Sequence, residues 1–419
     1  MKRILLFLLA LPLLFAACGE GGEKKAEDGD VIYVGVLHSL TGTMSISEIA
    51  VKDATLMAID EINEKGGLLG KKIVPIVVDG KSDWPTFATE AEKLIKEKKV
   101  DVVFGCWTSA SRKTVKPVFE ANKHLLFYPV QYEGLEQSPN IVYTGAAPNQ
   151  QIIPAAKWAM DKGWNKIFLI GSDYVFPRTA NAIIKDQVKG LGGTIVGEEY
   201  ILLGSKDVDA AIAKIKASGA QVILNTINGD TNVEFFKKLR AAGITAEKMP
   251  TISFSIAEDE LRSMDVKEMV GDYAAWNYFQ SIDSEDNKGF VARYKKKFGN
   301  ERVTDDPIEA GYFGVYLWAN AVRKANSSNV NAVRKALAEL SYDAPEGLVY
   351  IDGATQHTWK AVRIGQIKDD GQFNIVWSSE KPIRPVPFPD TRTREEWEKF
   401  LSDLYEGWGK SWANPGKKE

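Results

Sequence analysis

Short β-branched runs alternate with amphipathic helical stretches along most of the chain, and this alternation predicts the fold class. Residues 31–37 predict a strand, and residues 48–65 predict a helix that Gly66-Gly67 ends. This alternation of predicted strands and helices continues to residue 128. A second alternating series begins past Pro148 and continues to residue 254. Two successive βαβα series predict an α/β protein with two doubly wound lobes, each built on a parallel sheet.

The remaining pattern extends this arrangement with helices and a hairpin. Pro75 predicts that the second strand lies at an edge or carries a bulge. Asp370-Gly371 predicts the turn of a hairpin formed by residues 359–367 and 373–377. The other predicted strands are 73–78, 100–104, 125–128, 166–170, 194–200, 221–225 and 251–254. The other predicted helices are one introduced by Asp83 and Pro85, then 110–121, 152–162, 180–191, 208–217, 233–242, 288–298, 308–325, 330–340 and 394–412.

The first thirty residues predict export and anchoring. Lys2 and Arg3 precede an apolar run over residues 4–15 and the small pair Ala16-Ala17, which is typical of a signal peptide over residues 1–17. Phe15-Ala16-Ala17-Cys18 resembles the bacterial lipobox, so Cys18 is the predicted lipidation site. About a dozen apolar residues are too few for a membrane-spanning helix. Residues 18–30 are Gly-rich and charged, as in a flexible tether. The predicted location is therefore extracytoplasmic, on a lipid anchor.

Composition narrows the function by exclusion. The 419 residues carry 53 Lys and Arg against 56 Asp and Glu, a balance that argues against nucleic acid as a partner. Three scattered histidines and two cysteines provide no metal-ligand spacing, and neither a phosphate loop nor a nucleotide fingerprint follows the first strand, so no cofactor is expected. Cys106 follows a predicted strand and is the candidate nucleophile of an amide hydrolase, although a buried packing role is favoured because no base is near it in sequence.

Polar and aromatic residues follow the predicted strands at the points where each strand ends. In an open parallel sheet, ligands bind outside the carboxyl ends of the strands. The segments in question are 105–113, 129–134, 171–174, 225–230 and 253–255. A small ligand with a flat apolar face and a polar edge, held between two lobes, fits this set.

Three of these segments carry a resemblance to a known family. GCWTSASRKTVKPVFE (105–120), LLFYPVQYEGLEQSPNIVYTGAAPNQQ (125–151) and FLIGSDYVFPR (168–178) resemble the amide- and urea-binding branch of the type I periplasmic binding proteins, which are leucine/isoleucine/valine-binding-like. The resemblance implies two Rossmann-like lobes joined by a three-strand hinge. Lobe 1 would comprise residues 31–149 and 278–353, lobe 2 residues 150–277 and 354–390, and residues 391–419 a helical tail. It further implies a non-enzymatic component of an ABC importer, with permease subunits as partners.

The family's ligand site can be carried over residue by residue. The resemblance assigns ligand contact to Trp107, Ser109, Tyr128 and Val130 in the first lobe, and to Asp173, Tyr174, Asn228, Gly229 and Asp230 in the second. Urea is the implied ligand, and its donors and single carbonyl acceptor suit such polar and aromatic groups. Amide-sensing relatives usually have Tyr at the position of Trp107 and Thr at that of Val130, so short-chain amides and an amide-sensing role remain alternatives. A branched-chain amino acid would need charged partners for both of its ends.

The end of the chain predicts one more feature. Trp397, Phe400, Leu401, Leu404 and Trp408 share one face of the predicted helix 394–412. Such a stripe predicts packing against the protein itself, and contact with the permease or the membrane surface is the alternative.

Overall fold

A computed structural model describes residues 31–338 and 340–416 of the chain, so the predicted signal peptide, Cys18 and the tether lie outside the described residues. The strands are β1 (Val31–His38), β2 (Lys72–Asp79), β3 (Val102–Gly105), β4 (Leu126–Tyr128), β5 (Ile141–Tyr143), β6 (Lys166–Ser172), β7 (Thr194–Ile201), β8 (Val222–Thr226), β9 (Thr251–Ser253), β10 (Tyr273–Trp276), β11 (Ser341–Ala344), β12 (Gly347–Ile351), β13 (Thr358–Trp359), β14 (Arg363–Ile367) and β15 (Phe373–Ser378). The helices are α1 (Ser45–Glu64), α2 (Trp84–Lys96), α3 (Ser109–Ala121), α4 (Ile152–Asp161), α5 (Val175–Gly190), α6 (Asp209–Ala217), α7 (Thr231–Ala241), α8 (Glu258–Leu261), α9 (Val266–Met269), α10 (Glu285–Phe298), α11 (Asp306–Ala325), α12 (Val330–Leu337) and α13 (Arg394–Gly407).

The first lobe is built on a five-stranded parallel sheet in the order β2-β1-β3-β4-β5. β2 lies at the edge, as Pro75 predicts, because proline has no N–H to give to a second neighbouring strand. Helix α11 packs against α1, and Phe313 and Trp318 of α11 belong to the same buried cluster as Val36 and Phe104 of the sheet. Residues far along the chain therefore complete this core.

The second lobe is built on a seven-stranded sheet in the order β15-β14-β10-β9-β8-β6-β7. The pairs among β6 to β10 are parallel, whereas β14 pairs antiparallel with β10 and β15. The hairpin of β14 and β15 turns at the predicted Asp-Gly, and Gly371 has a φ of +74°. The α/β fold with two doubly wound lobes is thus confirmed.

Three chain segments connect the lobes, and hydrogen bonds tie them to one another. They lie between β5 and α4, between β10 and α10, and between β13 and β14. Asn277 on the second segment donates to Gln150 O (3.0 Å) on the first and to Ala361 O (2.8 Å) on the third. Lys360 on the third segment donates to Thr144 O at 3.0 Å. A buried network of hydrogen bonds therefore holds the three connecting segments against one another.

Several predicted boundaries are wrong, each for a local reason. Helix α5 begins at Val175 rather than at residue 180, because Pro177 is tolerated in the first turn of a helix. The predicted strand 359–367 is split into β13 and β14, which pair in different sheets. The tail helix α13 ends at Gly407 instead of continuing to residue 412.

The aromatic stripe of α13 packs on the protein itself, which confirms the favoured prediction for the tail. Trp397 is fully buried, donates from Nε1 to Pro389 O at 3.0 Å, and clusters with Leu401 and residues of the second lobe. Thr393 and Glu396 form a capping box that begins the helix. Within the described ranges, none of the helices has the length and apolar character needed to cross a bilayer.

Candidate functional site

The candidate site is the cleft where the strand ends of the two lobes face each other. In the first lobe it is bordered by the carboxyl ends of β1, β3 and β4, and in the second by those of β6 and β8. The lobes touch across it: Thr43 donates to the carboxylate of Asp230, and Ser47 donates to Glu260 Oε1 at 2.6 Å. Ala110 of the first lobe belongs to the same apolar cluster as Tyr174 and Val175 of the second. The structure is therefore in a closed arrangement.

The start of α3 places Ser109 in the cleft. Thr108 is the N-cap and accepts a hydrogen bond from Ser111 N at 3.0 Å, so the capping function belongs to Thr108 and the Ser109 side chain is left for other contacts. Ser109 Oγ donates to the carboxylate of Glu133 and accepts from Arg112 Nη1 at 3.1 Å. The Ser109 hydroxyl hydrogen is thus directed at Glu133.

A buried ion cluster supports this side of the cleft. Arg112 Nη2 lies 3.1 Å from Glu133 Oε1, and Arg112 Nε lies 2.8 Å from Glu136 Oε1. Lys113 Nζ lies 3.0 Å from Glu136 Oε2. Burial opposes ionisation of both partners, yet the charges of Glu136 and Glu133 raise the pKa of Arg112, and Arg112 and Lys113 hold the pKa of Glu136 well below its usual range. Both cations are engaged by carboxylates.

Aromatic side chains line the cleft from both lobes. Trp107, Tyr128 and Tyr174 are each at most 3% exposed. The Tyr128 hydroxyl donates to the carbonyl of Trp107, and the Arg112 guanidinium lies 4.8 Å from the centre of the Tyr128 ring. Burial raises the pKa of Tyr174, and the charges of the first-lobe groups Tyr128 and Glu133 raise it further. Trp107 Nε1 is buried and has no hydrogen-bond partner within the described residues.

The predicted polar residues of the second lobe already have partners in the protein. Asp173 accepts from Arg178 Nε at 2.7 Å and from Asn414 Nδ2 at 2.6 Å. The Asn228 side chain donates to Thr226 O at 3.1 Å. Asp230 accepts from Thr43, and Gly229 has a φ of +72° and lies against Thr43 as well. In the closed cleft, Asp230 and Gly229 therefore join the lobes, and Asp173 holds the C-terminal segment.

The C-terminal segment reaches the cleft from outside the sheets. Val175 N donates to Trp412 O at 2.9 Å, and Ala413 forms an antiparallel bridge with Tyr174. Lys113 Nζ of the first lobe lies 4.9 Å from the centre of the Trp412 ring. The segment is thus fixed to the second lobe and touches the first.

The structure also brings in residues that the sequence did not single out. Glu133, within a quoted segment, bonds Ser109 and Arg112. Glu48 and Thr43 follow β1 and lie at the same edge. The position shortly after β1 is the sequence signal that could have identified Thr43, since the other strand ends were used in this way, whereas Glu48 lies further along, on α1. Val130 is 1% exposed and packs in the first-lobe core.

Cys106 lies at this edge, but its thiol is poorly suited to act as a nucleophile. The side chain is fully buried, and burial together with the charge of Glu48 raises the pKa of its thiol. Among the residues described, no three His, Cys, Asp or Glu side chains are grouped to hold a metal ion.

Two α/β lobes, three connecting segments and a buried polar cleft define a two-lobed solute-binding protein. The chain belongs to the family described as periplasmic binding protein domain, whose model matches residues 32–394. Membership makes it a periplasmic binding protein, a non-enzymatic class of extracytoplasmic solute receptor, which confirms these predictions at that level.

The relatives differ in how much of their length matches this chain. Leu/Ile/Val-binding protein homolog 6 of Brucella melitensis biotype 1 is 24% identical over 387 residues, which are 89% of this chain and 95% of that protein. A protein named limonene hydroxylase from Geobacillus stearothermophilus is 35% identical over 124 residues, which are 30% of this chain and only 23% of that protein.

Solved structures share the fold. An R. palustris ABC-transporter solute-binding protein in complex with 4-hydroxybenzoate superposes with a TM-score of 0.74 at 24% identity, covering 84% of this chain and 98% of that one. The LivJ substrate-binding protein of Streptococcus pneumoniae in complex with isoleucine gives 0.73 at 21% identity, covering 85% and 100%.

Proposed function

We propose that the cleft captures urea, or alternatively a short primary amide, and delivers it to the permease of an ABC importer. The observation that carries the proposal is the buried Trp107 Nε1–H, a donor without a partner among the described residues, on the loop after β3 whose carbonyl accepts from Tyr128. A buried donor left unsatisfied costs free energy, so a ligand that supplies a carbonyl oxygen is favoured there. The Ser109 hydroxyl hydrogen is directed at Glu133, so Trp107 is the better donor to that oxygen.

Charge argues against the ligands of the structural relatives. A benzoate or an amino acid brings a carboxylate, which needs a cation or several donors on burial. Arg112 and Lys113 are paired with Glu133 and Glu136, so neither is free for a carboxylate ligand. Glu133 at the cleft would repel an anion as well. A neutral, planar ligand of a few heavy atoms fits this charge pattern.

Removal of the indole N–H tests the proposal. In Trp107→Phe the aromatic wall stays while the donor is lost, and we expect urea affinity to fall about tenfold, the value of one buried hydrogen bond. Titration calorimetry with urea, acetamide, formamide, isoleucine and 4-hydroxybenzoate measures this. Trp164→Phe is the control, because Trp164 precedes the amino end of β6 at the opposite edge of the sheet. No heat with urea or any short amide in the wild-type protein would contradict the proposal.

Closure of the lobes gives a second test. A Cβ added at Gly229 would lie 2.7 Å from Thr43 Oγ1 of the other lobe, so Gly229→Ala should oppose closure and weaken urea binding about tenfold. Gly219→Ala is matched, since Gly219 has a similar positive φ of +66° in the same lobe but nothing within 4 Å of the added Cβ. Both variants should lose similar thermal stability from backbone strain, whereas only Gly229→Ala should lose affinity. Equal affinities would count against closure on the ligand.

A further inference from the structure

Glu48 occupies a position that links the two lobes. It lies in the first turn of α1, and its neighbours Thr43 and Ser47 bond Asp230 and Glu260 of the second lobe. Its charge contributes to raising the pKa of Cys106 at the end of β3 and that of Tyr174 across the cleft. Glu48 therefore lies at the carboxyl end of β1, which pairs with β3, on the part of α1 that contacts the second lobe.

Only one of the two carboxylate oxygens of Glu48 has hydrogen-bond partners among the described residues. Its Oε2 atom accepts from Ser39 N at 2.7 Å and lies 3.1 Å from His38 Nδ1. These two contacts fix the orientation of the carboxylate plane. The side chain is fully buried, and Oε1 has no hydrogen-bond partner among the residues described. Carboxylate oxygens buried in this way normally accept at least one hydrogen bond.

Two of the buried unpartnered groups that follow strands β1 and β3 have complementary chemistry. Trp107 Nε1 is a donor, and Glu48 Oε1 is an acceptor. The nearby Glu133 is different, because Arg112 and Ser109 already occupy its two oxygens. A ligand that satisfies both unpartnered atoms must carry a carbonyl oxygen and an N–H donor on one small planar frame.

We propose that Glu48 is the ligand-binding residue that accepts N–H hydrogen bonds, and that it selects primary amides and ureas over carboxylates of the same shape. The inference rests on the proposed function, whose site it completes. Acetamide and acetate are nearly isosteric, but acetate has no N–H to give and brings a negative charge towards Glu48. The residue therefore acts on specificity in two ways, by accepting a donor and by repelling an anion.

The test compares Glu48→Gln with Glu61→Gln, the same change on the same helix. Glu61 accepts from Tyr312 and Tyr316 at 2.6 Å each and faces α11 rather than the cleft. Calorimetric titration with urea, acetamide and acetate gives the affinities, and thermal unfolding verifies that each variant folds. We expect urea and acetamide affinity to fall at least tenfold in Glu48→Gln, with a smaller preference for acetamide over acetate, and both to stay unchanged in Glu61→Gln.

The outcomes separate this inference from the proposed function. If the wild type binds urea and Glu48→Gln binds it equally well with the same preference for acetamide, the role of Glu48 is wrong while the function stands. If the wild type binds neither urea nor acetamide, the proposed function itself fails. If Glu48→Gln does not fold, the wild-type protein decides: acetate bound as tightly as acetamide overturns the inference, and a preference of at least a hundredfold for acetamide supports it.

Discussion

Arg112→Met is expected to destabilise the protein by about 3–5 kcal/mol and to abolish urea binding. Arg112 is fully buried between Glu133 and Glu136, and its removal leaves two buried carboxylates with Lys113 as the remaining partner, 3.8 Å and 3.0 Å away. Breaking a buried ion pair from one side costs more than the pair contributes, because the charge left behind has lost both its partner and water. Affinity falls since Ser109 and Glu133 lose the group that orients them.

Denaturation followed by circular dichroism, with calorimetric titration of urea, measures both effects. Arg178→Met is the matched control. Arg178 pairs with Asp173 at 2.7 Å, but its side chain is 33% exposed, so the cost should be about 1 kcal/mol or less. Arg112→Lys keeps the positive charge but loses the planar guanidinium that bonds both carboxylates, so its loss of stability should lie between those of Arg112→Met and Arg178→Met. Equal losses for Arg112→Met and Arg178→Met would show that the buried cluster does not support the site.

Glu258→Gln is expected to stabilise the protein at pH 8 and to flatten the dependence of stability on pH. Glu258, at the start of α8, accepts from Gln280 N at 2.7 Å through Oε1, whereas Oε2 is buried with no partner in the described part of the chain. Burial raises the pKa of Glu258 from 4.5 to about 8, against the lowering effect of the Gln280 N–H, and Glu260 and Asp306 add to the rise.

The sign of the effect follows from proton linkage. Between about pH 4.5 and pH 8 the unfolded chain releases a proton that the folded chain keeps, so the free energy of unfolding falls as pH rises. A shift of this size corresponds to a loss on the order of 4 kcal/mol across the window. Gln is neutral throughout and removes this contribution. Thermal unfolding at pH 5, 6.5 and 8 measures the slope.

Glu61→Gln again serves as the control, with the opposite behaviour. Although burial opposes ionisation, hydrogen bonds from Tyr312 and Tyr316 and the charge of Arg293 lower the pKa of Glu61. Its contribution is present above the unfolded pKa of about 4.5 and is lost only as pH falls below it, so Glu61→Gln should lower stability by the same amount at pH 6.5 and pH 8. A slope in Glu258→Gln identical to that of the wild type would contradict the assignment.

The sequence predicted the two sheets because most of their strands are apolar runs separated by clear helical periods. It missed β5 and β10, because strands were predicted from their alternation with helices, whereas β5 follows β4 with no helix between them and only the four-residue α8 and α9 separate β9 from β10. It also missed β11 and β12, in which most residues are exposed or half-buried, so apolar positions do not stand out. Short strands of this kind are specified by the neighbouring strands with which they pair, and those neighbours are distant in sequence.

Local sequence placed some candidate residues at the edge of the cleft, whereas others are brought there only by packing across the fold. Trp107 and Ser109 come just after β3, Tyr128 is the last residue of β4, and the Tyr128 hydroxyl donates to the carbonyl of Trp107. Glu48 reads in sequence as an ordinary acidic residue in the first turn of a helix, where it would favour the helix dipole without any burial. Its contact with His38 arises only when α1 packs back against the end of β1.

Cys106 makes the folded protein a convenient host for site-specific labels. It is the only cysteine among residues 31–416, and its buried thiol of raised pKa should react slowly with maleimides. Exposed lysines such as Lys96 on the first lobe and Lys157 on the second can therefore be exchanged for cysteine and coupled to a dye pair without changing Cys106. Energy transfer between the dyes would then report the distance between the lobes. The slow labelling of Cys106 would separately report the fraction of molecules that unfold and expose its thiol.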